Sequence, residues 1–137
     1  MIRYHPITAN AAGELERVRA DADGADVALD EARRHVESAR MIAGSDSSGA
    51  YQLAYDGARK AVVSSLRRTG LRVRKGEGAH AITAAYASVA IDEELGDRFE
   101  SARRRRNRSE YGSAYFDEAA VADVIDLAAS LIAAVHG

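Results

Sequence analysis

The side chains best suited to chemistry form a run of arginines at 103–106, continued by Asn107, Arg108 and Tyr111. A guanidinium donates several hydrogen bonds in a planar array that matches carboxylates and phosphates. A tyrosine hydroxyl can also donate to a phosphate, but its ordinary pKa near ~10 prevents it from acting readily as a base at neutral pH. The run therefore predicts an anion-binding surface. The other interpretation is a solvated helix end, where cations oppose the helix dipole.

A second basic stretch lies at residues 59–75, which contain seven basic side chains and no acidic one. Arg72, Arg74 and Lys75 fall in a connection that contains glycine, so the backbone there could approach a phosphate, although the stretch carries no phosphate-loop fingerprint. The formal net charge of the chain is only −2. The uneven distribution of charge, rather than its sum, therefore indicates a local positive surface.

The composition is that of one globular domain over residues 1–137, with 47% hydrophobic and 29% charged residues. The absence of cysteine excludes disulfides and Cys-based zinc sites. The N-terminus lacks a continuous apolar segment, and Asp123 and Asp126 interrupt the most apolar part of the chain, so no window approaches the roughly 20 apolar residues of a membrane span. We therefore expect a cytoplasmic protein without a membrane partner or a cofactor. Three of the four histidines are scattered along the chain and predict no metal site: His5, His35 and His136.

Apolar residues at spacings of three and four predict an all-α bundle of about five to six helices with an up-and-down core. No stretch shows the sustained alternation typical of a strand. Residues 21–24 are expected to end the first helix, and Gly70 is expected to end the third in the left-handed conformation. The predicted helices span about 9–20, 26–43, 48–69, 79–91 and 92–108, and a last one begins near 117.

The fifth predicted helix places an arginine on an apolar stripe. The stripe consists of Leu95, Phe99 and Ala102, and Arg106 is its next member, because seven residues after Phe99 make nearly two helical turns. Arg106 is therefore expected to face a seam with another helix or subunit. Two of its neighbours in the run should instead be solvated: Arg104 and Arg105.

A guanidinium at such a seam needs an acceptor. The hypotheses for Arg106 are a phosphate, a partner subunit, or a structural ion pair with Glu110 or Asp56. His80, at the start of the fourth predicted helix, could approach Arg106 and supply the proton-transfer group that the run lacks. A capping or surface histidine is the other interpretation of His80.

Three segments resemble the HEPN superfamily (higher eukaryotes and prokaryotes nucleotide-binding) over roughly residues 48–135: the long third helix AYQLAYDGARKAVVSSLRRTGLR, the helix end RRRRNRSEYG and the last helix opening FDEAAVADVIDLA. The known signature of that superfamily is an arginine, usually a polar residue, a few further positions and a histidine. Arg106 and Asn107 match its first half, whereas Tyr111 stands at the histidine position, as in an actinobacterial-type branch that lacks the motif histidine. Catalytic members dimerise so that two motifs form one metal-independent RNA-cleaving site.

The resemblance leads to a first hypothesis of a HEPN-like homodimer that binds RNA, another nucleic acid or a partner protein without cleaving it. Arg106, Asn107 and Tyr111 would line a groove at the dimer interface. Neighbouring arginines would contact the nucleic-acid backbone: Arg103, Arg105 and Arg108.

Two other hypotheses follow from the same residues. One is a metal-independent ribonuclease, such as the toxin half of a defence system, that uses Arg106 with Tyr111 or His80. The other is a structural adaptor whose arginine-rich end binds an acidic protein and is indifferent to nucleic acid.

Overall fold

The computed structural model describes residues 15–76, 78–111 and 116–136, without the side chains of 109–111. Within these ranges the chain forms five helices and two short strands, so the prediction of an all-α bundle is confirmed. The last five predicted helices correspond to the five observed ones. In chain order the elements are β1 (Leu15–Arg17), α1 (Ala22–Ile42), α2 (Ser47–Thr69), β2 (Leu71–Val73), α3 (Ala79–Ala90), α4 (Glu93–Tyr111) and α5 (Glu118–His136).

The first predicted helix is wrong over the part that the structure describes, because Leu15–Arg17 form a strand. Residues 9–14 of that prediction lie outside the described residues. Strand β1 pairs antiparallel with β2, and Leu71 of β2 is buried in the core. Strands of three residues are too short to show a period of two in the sequence, so the pairing could not be recognised from the local pattern.

Residues 21–24 begin a helix instead of ending one. The side chain of Asp21 accepts a hydrogen bond from the N–H of Gly24 at 2.8 Å and caps α1. Asp46 caps α2 in the same way through the N–H of Gly49, also at 2.8 Å. A carboxylate in this position satisfies an unpaired N–H of the first turn and opposes the positive end of the helix dipole. The expectation that 21–24 terminate a helix is therefore corrected.

Helix α2 contacts each of the other four helices. It runs antiparallel to α1, since Ser64 near its end donates to the carbonyl oxygen of Ala25 near the start of α1 at 2.7 Å. Gly70 ends α2 with φ 81°, as predicted for a left-handed cap. Helices α1 and α2 approach each other closely at Gly57, where an added Cβ would lie 3.2 Å from the carbonyl oxygen of Ala32.

Helices α3 and α4 form a pair that packs beside α2. Their backbones approach each other at Gly96, where an added Cβ would lie 2.3 Å from the backbone nitrogen of Ser88. Phe99 of α4 is fully buried one turn further on. This contact fixes α4, and with it the arginine run, relative to α3.

Helix α5 returns to α2 and α1. Within the described part of the chain it is the one helix long and apolar enough to cross a membrane by length and composition, with a mean hydropathy of 1.7, although Asp123 and Asp126 lie in it. One third of that window, 33%, is buried in the bundle, and the buried side chains include Val124 and Leu131. A core helix of a bundle meets the same criteria, and the absence of a membrane partner stays a prediction.

Candidate nucleic-acid interface

Arg106 points from α4 toward α2. Its Nε donates to Oε1 of Gln52 at 2.9 Å, and its guanidinium carbon lies 5.2 Å from the centroid of the Tyr55 ring. Phe99, two turns earlier on the same face, is buried and lies against Tyr55 with a centroid distance of 5.4 Å. The stripe geometry is therefore confirmed: Arg106 meets another helix. A cation over an aromatic face is stabilised by the ring quadrupole, which holds the guanidinium in place.

Arg106 lines a cleft of about 310 Å³ to which α1, α2, α3 and α4 all contribute. We call it the histidine cleft. Four of its side chains are cationic or can become so, one is a carboxylate, and the others are an amide, a leucine and a tyrosine. Its lining residues are His35, Gln52, Leu53, Tyr55, Asp56, Arg59, His80 and Arg106.

Asp56 organises the α1–α2 wall of the histidine cleft. Its Oδ1 accepts from Nε and Nη2 of Arg59 at 3.1 and 2.8 Å. Its Oδ2 lies 3.2 Å from Nε2 of His35 and 3.8 Å from Nζ of Lys60, which also reaches Glu31 at 3.4 Å. The charge of the carboxylate is thus shared among several partners. A guanidinium carries five N–H donors, so the two bonds to Asp56 orient Arg59 without using all of its donors.

His80 lies on the wall formed by α3. Its Nδ1 is 3.3 Å from the hydroxyl of Tyr55. Desolvation by burial, followed by the positive charges of Arg59 and Arg106, lowers the pKa of His80 below its ordinary value of 6.5. Burial raises the pKa of Tyr55 to about 12, so the phenol keeps its proton at neutral pH. The structure thus brings His80 and Arg106 into one cleft, as the sequence hypothesis required.

A second cavity, of about 390 Å³, adjoins the histidine cleft, because Arg59 and His80 line both. We call the two cavities together the basic groove. The carboxylate on the wall of the second cavity is Asp21, the cap of α1. Six arginine and lysine side chains line the second cavity: Arg19, Arg59, Arg67, Arg72, Arg74 and Lys75. With Arg106 of the histidine cleft, the basic groove contains seven.

The small sheet fixes the cations at the rim of this second cavity. Glu16 of β1 stands opposite Arg72 of β2 in the register and forms a salt bridge with it. The same carboxylate lies 3.5 Å from Nε of Arg74. Lys75 follows at once and is exposed. The strand pairing that the sequence did not reveal therefore holds the predicted basic connection along one edge of the groove.

The arginines of the run at the end of α4 point to different faces of that helix. Arg103 donates to both carboxylate oxygens of Glu100, at 2.7 and 2.8 Å, and these bonds lower the pKa of Glu100. Arg104 shares that carboxylate at 2.9 Å, and its side chain is 68% exposed, as expected.

Arg105 and Arg108 do not line the histidine cleft with Arg106 but lie toward α5. They line a cavity of about 760 Å³ against α5, which we call the α5-side cavity. The guanidinium of Arg105 lies 5.9 Å from the ring centroid of Phe116, so Arg105 is partly buried and not solvated as predicted. The basic surface expected from the run is therefore split in two.

The remaining motif residues are described only in part. Asn107 is partly buried. Tyr111 is the last residue of α4, and its side chain, like that of Glu110, lies outside the described side chains. The proposed roles of Tyr111 as a phosphate donor and Glu110 as an ion-pair partner stay predictions.

The sequence analysis did not assign His35 to the site. It proposed Asp56 as an ion-pair partner of Arg106, whereas Asp56 pairs with Arg59 and His35. Asp56 precedes Arg59 and Lys60 by three and four residues, a helical spacing that does indicate ion pairs. The contact with His35 depends on the antiparallel register of α1 and α2, which has no local signal. Among the described residues, no group of three His, Cys, Asp or Glu side chains is arranged to hold a metal ion.

No protein-family model, no curated protein and no solved structure matches this chain. The resemblance to the HEPN superfamily rests on the motif at Arg106 and Asn107 and on the order of the helices, and it stays a hypothesis.

Proposed function

We propose that this helical domain binds nucleic acid, with RNA as the preferred ligand, along the basic groove. The observation that carries the proposal is that Arg59 and His80 line both cavities. Two basic stretches that are far apart in the sequence therefore become one track of cations. A polyanion gains affinity from such a track, because each phosphate that is neutralised releases condensed counterions.

The acidic groups of the groove are already engaged by the protein. Asp21 accepts from the backbone of α1, and Asp56 is bound by Arg59 and His35. Glu16 pairs with Arg72 and so orients that side chain at the rim. A concave, low-dielectric wall also concentrates the field of the cations. These features favour an anionic ligand over a neutral one.

In this proposal the domain is HEPN-like and homodimeric, and it holds RNA without cleaving it. The support comes from Tyr111, which stands at the motif histidine position, because an ordinary tyrosine does not exchange protons readily at neutral pH. Arg106, Asn107 and Tyr111 would approach the dimer interface, as the resemblance implies. The localisation that goes with this function is cytoplasmic.

Salt-titrated fluorescence anisotropy with single-stranded RNA and DNA tests the proposal. We expect the logarithm of the affinity to fall linearly with the logarithm of the salt concentration. Arg74→Ala and Lys75→Ala should each weaken binding and reduce that slope by about one. Arg34→Ala, which removes an exposed arginine of α1 outside the groove, is the matched control.

The proposal fails if neither nucleic acid binds at low salt, or if the groove variants bind like the control. Capture of an acidic protein by a chain that does not bind nucleic acid would instead favour the adaptor hypothesis.

One observation favours a second candidate function, metal-independent RNA cleavage. His80 shares the histidine cleft with Arg106, and its lowered pKa keeps the imidazole largely neutral, so it could accept the proton of a ribose 2′-hydroxyl. The 2′-oxygen would then attack the phosphorus to form a 2′,3′-cyclic phosphate, and the 5′-oxygen would leave and take up a proton from solvent water. Arg106 would stabilise the charge on the phosphate.

This second function predicts RNA cleavage in EDTA, no cleavage of the same sequence as DNA, and loss of activity in Arg106→Ala and His80→Gln. RNA that stays intact in EDTA after long incubation with saturating protein would exclude it.

A further inference from the structure

The two cavities of the basic groove distribute positive charge differently. In the histidine cleft, two guanidiniums and two imidazoles surround a space of about 310 Å³. In the larger cavity, the basic side chains come from the segment before α1, from the second half of α2, from β2 and from the connection after β2. A compact cluster of donors and an extended series of cations suit different anions.

We infer that the histidine cleft seats the terminal phosphomonoester of a nucleic-acid strand, while the phosphodiester backbone of the same strand lies along the larger cavity. This inference rests on the proposed function and specifies its ligand: a strand that ends in a phosphate. The phosphate could stand at the 5′ or the 3′ end, since the chemical group is the same.

The charge of the ligand supports this assignment. A phosphodiester carries one negative charge, whereas a phosphomonoester has a second pKa near ~6 and carries about −1.5 to −2 at pH 7, with three strong acceptor oxygens. A terminal phosphate therefore has more acceptors and more charge to neutralise than any internal one. The four groups that can be cationic in the histidine cleft match this requirement: His35, Arg59, His80 and Arg106.

The two guanidiniums are held in place before a ligand arrives. Arg59 is fixed by two hydrogen bonds to Oδ1 of Asp56. Arg106 is fixed by Gln52 and by the ring of Tyr55. Preorganised side chains lose less conformational freedom on binding, so more of the interaction energy contributes to affinity. Planar guanidiniums also favour bidentate contacts with phosphate oxygens.

Asp56, the carboxylate of the histidine cleft, should repel a bound dianion only weakly, because neighbouring cations neutralise much of its charge. Asp56 is shared by Arg59, His35 and Lys60, on both of its oxygens. On the other wall, His80 contacts Tyr55 through Nδ1. A neighbouring anion favours the protonated form of an imidazole, so a bound phosphate would convert His80 into a further cation.

Competition fluorescence anisotropy tests the inference with oligoribonucleotides of one sequence that carry a 5′-phosphate, a 3′-phosphate or hydroxyls at both ends. We expect one phosphorylated form to bind on the order of tenfold more tightly than the hydroxyl form, the effect of about one additional hydrogen bond to a charged group. The form that shows the preference identifies the end that enters the cleft.

Substitutions then show which residues cause the preference for a terminal phosphate. His80→Gln and Arg106→Gln should reduce the tenfold ratio to nearly one, because the phosphorylated form should lose much more affinity than the hydroxyl form. Arg74→Ala, at the rim of the larger cavity, should weaken all three ligands by the same factor and keep the ratio. Circular dichroism checks that each variant is folded. His80 is exposed as a residue, although its ring is partly desolvated, so His80→Gln should disturb folding the least.

Two results would overturn the inference alone, and a third would refute the proposed function on which it rests. Equal affinity of the wild-type chain for all three ligands would leave nucleic-acid binding intact but remove the end preference. A preference that persists in both His80→Gln and Arg106→Gln would assign the terminal phosphate to another site. Failure of all three ligands to bind would instead refute the proposed function itself.

Discussion

Two cavities flank α4 and each contains arginines of the same run of sequence, yet their electrostatic surroundings differ. On the α2 side, Arg106 joins Arg59 and two histidines, and the carboxylate of that lining is Asp56. On the α5 side, three arginines meet four carboxylates: Arg98, Arg105 and Arg108 with Glu94, Asp97, Asp123 and Asp126. A basic run in the sequence therefore does not define a basic surface. Helical periodicity divides the run, and the helix opposite each half determines whether an anion could bind there.

The largest effect is expected where α4 is fixed to α3, because both cavities depend on that contact. Gly96→Ala would place a Cβ 2.3 Å from the backbone nitrogen of Ser88. We expect a loss of about 2–3 kcal/mol in the free energy of unfolding, as for other overpacked sites. Urea denaturation measures it.

Gly44→Ala is the matched control for that variant, since an added Cβ there meets nothing within 4 Å. A Gly96→Ala chain as stable as the Gly44→Ala chain would contradict the close approach of α3 and α4.

The comparison between the two sides of α4 is tested most directly by paired substitutions. Arg106→Ala should weaken the binding of RNA that carries the preferred terminal phosphate by roughly tenfold or more, the effect of losing a hydrogen bond between charged groups. Arg105→Ala, one residue earlier but lining the α5-side cavity, should change the affinity by less than about twofold, because Arg105 lies outside the basic groove. Equal losses in the two variants, measured by anisotropy at one salt concentration, would mean that the whole run binds as one surface.

The dependence of binding on pH should also distinguish the two sides. The pKa of His80 lies below 6.5, owing first to burial and then to Arg59, Arg106 and Arg103, while Asp56 acts in the opposite direction. Since a bound phosphate favours the imidazolium, binding takes up a proton, and the affinity should rise several-fold as the pH falls from about 8 to about 6.

Below about pH 6 a terminal phosphate takes up a proton itself, so the gain should level off. Tyr55, which contacts His80, has a pKa of about 12 and does not titrate in this range. The His80→Gln variant should show a flatter profile, and an unchanged profile would argue against a phosphate beside this imidazole.

The smallest effect concerns the acids of the α5-side cavity. The double variant Glu94→Gln/Asp97→Asn leaves three arginines facing two carboxylates in that lining. We expect about a twofold gain in RNA affinity at low salt that disappears at high salt, as screening of exposed charges requires. No change at low salt would show that the α5-side cavity is too remote from the bound strand to influence it.

The sequence predicted Arg106 correctly because the relevant information is local. Leu95, Phe99, Ala102 and Arg106 lie within one helix, and the helical period alone fixes their common face. The cap function of Asp21 was also encoded locally, by an aspartate three residues before Gly24, but the same residues are compatible with a helix end.

Two other contacts of the site could not be predicted, because they join segments that are distant in the sequence. His35 reaches Asp56 only through the register of α1 against α2. Arg72 is held by Glu16 through a sheet of two three-residue strands. Neither contact leaves a periodic pattern in the sequence, because each depends on the register between two separate elements.

The backbone contact between Gly96 and Ser88 joins α3 and α4 so closely that they should shift as one rigid body. His80 belongs to the first of these helices and Arg106 to the second, while Arg59 and His35 belong to α2 and α1. A small sliding of the α3–α4 pair over α2 would therefore move two of the four charged groups together against the other two. The width of the histidine cleft would then depend on one variable, the position of the α3–α4 pair relative to α1 and α2.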